Sequence, residues 1–128
     1  MQGWRQEGEH FLYEPPDQDT WDELRAHLTL GQQFSGTIVW VPRPGVTGIG
    51  VDLGLPVGGF VDGLLLPFDG TRWPTRGTVA EFKIWWMDER PQLRLVPIDP
   101  AYRREDFDTW LLTHNTAASA AFLKASDL

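Results

Sequence analysis

The chain has no cysteine among its 128 residues, which excludes disulfides, thiolate metal sites and a thiol nucleophile. Long apolar runs are also missing, and no segment approaches the roughly 18 residues that a membrane-crossing helix requires. The opening stretch MQGWRQEGEHFLYEPP shows no basic segment followed by an apolar one, the pattern of a secretory signal. These absences predict a cytoplasmic chain with no membrane partner. Histidine is scarce, and His10, His27 and His114 are too scattered to form a ligand set. Basic residues are outnumbered, with 11 Lys and Arg against 18 Asp and Glu for a net charge of −7. Duplex DNA and anionic membranes are gathered by positive potential, so neither is expected as a partner.

The acidity is uneven. Residues 1–30 hold seven acids against Arg5 and Arg25, a net of −5, whereas residues 31–100 hold seven acids and six bases. Most of the negative charge therefore belongs to an N-terminal arm. Seven Trp, seven Phe and a hydrophobic content of 41% suffice for one core.

Residues 1–19 lack periodicity, and Pro15 and Pro16 oppose regular structure, so an extended or disordered arm is expected there. Its Trp4, Phe11, Leu12 and Tyr13 are free to dock on the body. TWDELRAHLTLG predicts a helix over 20–30, with Thr20 as N-cap, Glu23 completing a capping box and Gly31 after the end. Trp21, Leu24 and Leu28 share one face, and His27 falls off it. From Gln33 onward, short β-branched runs separated by Gly and Pro predict five strands at 34–41, 48–53, 58–65, 78–87 and 92–96. Residues 31–100 are expected to form one barrel. Residues 101–128 read as a C-terminal amphipathic helix, with Phe107, Trp110, Leu111, His114, Ala118, Ala121, Phe122 and Ala125 spaced by three and four.

Chemistry is sparsely signalled. Asp52, Asp62 and Asp88 are the acids a catalytic reading would use. GIGVDLG opens no helix, so the dinucleotide fingerprint is not met. No nucleophile stands with a base, and no cofactor or metal is implied. The chain is expected not to be an enzyme.

The order and spacing of these pieces carry a resemblance. LGQQFSGTIVWV, GIGVDLG, VGGFVDGLLLP, RGTVAEFKIWWMD and RPQLRLVP resemble, in order, the five strands of the S-one-type RNA-binding domain. That domain is an OB-fold barrel named after the largest protein of the bacterial small ribosomal subunit. The resemblance covers about residues 30–97 and implies an all-β, five-stranded OB-like core with Phe34, Ile38, Val41, Phe82, Ile84, Met87, Leu93 and Leu95 inward and with Asp52 and Asp88 as turn residues at strand ends. It also implies an RNA face with two aromatics on the second strand and a histidine on the third. Thr47, Gly50 and Asp62 stand at those positions, so the stacking platforms are absent, and each stacked base is worth about 1–3 kcal/mol.

Replacements are available in Arg43, Arg72, Arg76 and Arg94 and in Trp40, Trp73, Trp85 and Trp86. Alternation along a strand requires at least one of Trp85 and Trp86 to leave the core and find cover under the C-terminal helix, the arm or a partner. The expected function is a non-catalytic binding module: a protein-interaction or regulatory module with a degenerate RNA face, a small bacterial immunity-type protein being one instance. The alternative is weak single-stranded RNA binding through the loop arginines and relocated tryptophans.

Overall fold

The computed structural model describes residues 3–8, 10–45 and 47–113. Five strands close into a barrel: β3 (Gln33–Trp40), β4 (Ile49–Asp52), β5 (Gly59–Val61), β6 (Val79–Trp86) and β7 (Leu93–Pro97), in the order β3-β4-β5-β7-β6. All neighbours are antiparallel except β5 and β7, which run parallel. This mixed closed order is compatible with an OB-like fold. Ile38, Ile49, Val51, Val61, Phe82, Ile84, Leu93 and Leu95 are all fully buried inside it. Phe34 and Met87 pack against that core from partly buried positions.

The third strand is shorter than the 58–65 its sequence predicts. After Val61 the Asp62 carboxylate accepts from the Leu64 N–H at 2.9 Å and caps a single 3₁₀ turn, Gly63–Leu65. An Asx cap diverts the backbone from pairing. Two bulges also break simple alternation: β3 carries one residue more than β4 between Ile38 and Trp40, and β6 one more than β7 between Ile84 and Trp86.

The N-terminal arm is not extended chain. β1 (Gly3–Glu7) and β2 (His10–Glu14) form an antiparallel hairpin that stands as its own two-stranded sheet. Pro15 and Pro16 then stop the strand, and α1 (Gln18–Ala26) begins two residues before the expected helix. Asp17 takes the cap in place of Thr20, accepting from the Thr20 N–H at 2.7 Å. An aspartate at that position satisfies the first turn as well as threonine does, so the Thr20–Glu23 box is superseded. Trp21 of α1 is fully buried and donates from its indole to the Asp88 carbonyl at 2.9 Å. His27 is exposed, as its place off the stripe implies.

Residues 101–106 are not helical as predicted. A 3₁₀ turn, Pro100–Tyr102, is capped by Asp99, and α2 runs over Phe107–Thr113. Phe107 and Leu111 are buried in the core cluster. His114, Ala118, Ala121, Phe122 and Ala125 lie outside the described residues.

Candidate binding face

The pairing registers place one residue from each barrel strand in a single row. Trp40 pairs with Gly50, Gly50 with Phe60, Phe60 with Arg94 and Arg94 with Trp86. This row crosses the outer surface of the barrel. Trp40 and Trp86 each follow one of the two bulges, and a bulge re-aims the side chain beside it. The rings are left 37% and 39% exposed.

The middle of the row is closed by the hairpin. A Cβ at Gly50 would lie 2.3 Å from Cζ2 of Trp4, and one at Gly58 would lie 2.5 Å from Cε1 of Tyr13. The two glycines are thus the recesses into which these rings fit. The Trp4 ring centroid lies 5.3 Å from Tyr13, 5.8 Å from Trp40 and 5.1 Å from Phe60, and Tyr13 meets Phe60 edge-on at 5.1 Å. Polar contacts fix the orientation. The Trp4 indole donates to the Gly59 carbonyl at 3.4 Å, the Tyr13 hydroxyl accepts from the Gly58 N–H at 3.2 Å, and the same hydroxyl donates to the Pro91 carbonyl. Burial raises the Tyr13 pKa above the ordinary phenol value, opposed in part by the Gly58 N–H.

On the other side of the row a groove of about 310 Å³ opens between β6, β7 and α2. Trp85, the extra residue of the β6 bulge, turns toward α2 and stacks on Trp110 with centroids 6.1 Å apart. The helix thus covers one of the paired tryptophans, while Trp86 stays in the open row. Arg104 holds the start of α2 against the barrel. Its backbone N–H donates to the Leu65 carbonyl at 3.0 Å, and its guanidinium lies 4.9 Å from the Phe68 ring and 5.0 Å from Trp110. At the groove edge, Arg90 donates to both oxygens of Asp88, from Nη2 at 2.7 Å and from Nε at 3.2 Å. Those bonds lead in lowering the Asp88 pKa to about 2, with the Arg90 N–H and Trp86 also donating to the carboxylate. Asp88 is therefore the pin that orients Arg90.

The residues singled out in the sequence divide accordingly. Gly50, Trp40, Trp86 and Arg94 share the row, and Asp62 lies beside Arg94, with Oδ2 and Nη1 4.0 Å apart. Arg76 borders Trp40 in a shallow depression and lies 5.3 Å over the Phe11 ring. Trp73 is not an available ring, because it is buried in the core and its indole donates to the Pro67 carbonyl at 2.6 Å. Arg72 pairs with Glu105 at 3.1 Å, away from the row. Thr47 is in the exposed loop before β4, where its N–H donates to the Arg43 carbonyl at 3.2 Å. The structure also brings in Trp4, Tyr13, Phe60, Arg90 and Trp110, none of which the motif reading placed at a site. Phe60 was legible as the large residue following Gly58 and Gly59; the Trp4 contact was not, since it joins residues 46 positions apart.

No protein-family model and no curated protein matches this chain. Among the described residues no group of three or more His, Asp or Glu could hold a metal ion, and no helix is long and apolar enough to cross a membrane.

Proposed function

We propose that the chain is a non-catalytic binding module of the S-one type whose RNA face has been closed by its own N-terminal hairpin and whose partner is a protein. The observation that carries this reading is Trp4 seated over Gly50. The position at which the resemblance puts a base-stacking aromatic has no side chain and is filled from within the molecule. Asp62, at the histidine position, works as a turn cap and sets a negative charge beside Arg94. A net charge of −7 disfavours a polyanionic ligand and favours a basic protein surface, which it would steer into contact. Trp40 and Trp86, half exposed at the two ends of the row, are the ring types that dominate protein interfaces.

The second reading is weak single-stranded RNA binding along the same row, favoured by the alignment of Trp40, Phe60, Arg94 and Trp86. A fluorescence titration of a short labelled RNA with the full chain separates the two. The expected result is no saturable binding at physiological salt. Submicromolar binding, with log affinity falling by about 0.7 per log unit of salt for each phosphate met, would overturn the protein reading. For the protein partner, the expected mark is a defined complex that the double variant Trp40→Ala, Trp86→Ala weakens by about a hundredfold or more, as loss of two tryptophan anchors does.

A further inference from the structure

We propose that the groove between β6, β7 and α2 is a small-ligand site that takes a flat apolar group bearing one carboxylate. Its volume of about 310 Å³ is at the lower end of the range for small-molecule sites. Its walls are aromatic and already fixed. Trp85 is stacked on Trp110, and Trp86 with the buried Leu65 and Leu95 also lines the groove. Such walls hold a planar apolar body at little cost in ordering.

The polar end is Arg94. Its Nε is enclosed and has no hydrogen-bond partner among the described residues. The nearest carboxylate, Asp62, stands 4.0 Å from Nη1, beyond hydrogen-bonding distance, and its Oδ1 is committed to the Leu64 N–H. Arg90, by contrast, is occupied at both oxygens of Asp88. The enclosed Nε is out of a ligand's reach, so the guanidinium closes the apolar slot through its Nη donors. A planar carboxylate matches that fork in two bonds, whereas a dianionic phosphate would meet the Asp62 charge alongside. A cationic ligand would find only Asp62 Oδ2 uncommitted, and that oxygen already faces the Arg94 guanidinium at 4.0 Å, so the ligand would meet a like charge there. The chemistry is that of a free aromatic acid or of the C-terminal residue of a peptide. The site shares Trp86 and Arg94 with the row proposed to meet the partner.

The test is a heteronuclear NMR titration of the full chain that follows the indole N–H signals of Trp85, Trp86 and Trp110. The probes are 3-phenylpropanoate, its uncharged amide and phenethylammonium. The acid is expected to shift these three signals and to bind about fivefold or more tightly than the amide, the gain of one charge-assisted contact at a partly open site, with the ammonium weakest. Arg94→Gln should erase the difference between acid and amide while leaving amide binding in place, and Arg94→Lys, which keeps the charge but not the fork, should restore only part of it. Trp86→Ala, at an exposed position that the fold tolerates, should weaken both. Equal affinity for acid and amide, unaltered acid preference in Arg94→Gln, or shifts at other tryptophans only would overturn the proposal. Acetyl-Gly-Gly-Phe with a free and with an amidated C-terminus assigns the source: tighter binding of the free-acid peptide than of 3-phenylpropanoate indicates a chain terminus, and the reverse a free acid.

Discussion

A side chain at Gly50 cannot coexist with Trp4, because its first carbon would lie 2.3 Å from the indole. Gly50→Phe is therefore expected to destabilise the chain by about 3 kcal/mol or more, through overpacking and expulsion of a buried ring. In a Trp4→Ala background the same change should cost much less. Denaturant unfolding of the two single variants and the double variant checks this, with a coupling of at least about 1 kcal/mol expected for groups in contact. Asp88 gives a second test at this scale. Its pKa is about 2 against an ordinary 3.8, so the bonds it makes to Arg90 and Trp86 contribute fully above about pH 4 and are lost as pH falls toward 2. Asp88→Asn should be less stable than the wild type at neutral pH by about 0.5–1 kcal/mol, a value suited to a solvent-screened pair, and the two should converge near pH 2. Unfolding midpoints measured across that range report the difference.

The N-terminal hairpin and α2 have the same role from opposite ends of the chain: each covers part of the barrel's outer surface with aromatic rings. An isolated two-stranded hairpin is marginal in water, so β1 and β2 depend on the barrel for their order. Tyr13 is the sensitive contact, bonded to Gly58 and Pro91. Its raised pKa means that its contribution is present below pH 10 and is lost as pH rises through the folded-state value. Alkaline titration of the wild type is expected to loosen the hairpin, seen as faster amide exchange at residues 3–14. Tyr13→Phe should show that faster exchange already at neutral pH and no further alkaline step.

Across the described residues, α1, the barrel and α2 share one core through Trp21, Phe107 and Leu111, and the hairpin joins them by seating the buried Trp4 on Gly50. Elements joined by a shared core unfold together. Heating is expected to give one transition, with near-UV and far-UV circular dichroism superimposable; an early near-UV step would mean that the hairpin or α2 leaves the barrel independently. The net charge of −7 acts at this scale too, by keeping polyanions away from a face on which Arg94 is the single cation of the five-residue row.

The barrel is written in local signals along the chain. Short β-branched runs, glycine spacing and inward positions such as Ile38, Phe82 and Leu95 are local signals, and alternation of faces follows from strand geometry without knowledge of the partner strand. The short helix is legible for the same reason, although its cap falls three residues before Thr20, because Asp17 and Thr20 are both competent caps. The C-terminal stripe correctly marked Phe107, Trp110 and Leu111 as one face. The site, by contrast, follows from long-range packing. Bulges at β3 and β6 depend on how each strand is paired, so the outward aim of Trp40 and Trp86, and the turn of Trp85 toward α2, could not follow from a period of two. The hairpin over Gly50 and Gly58 is a contact between distant segments whose only sequence trace is two absent side chains. A glycine records that something approaches closely; which ring approaches is settled by the fold.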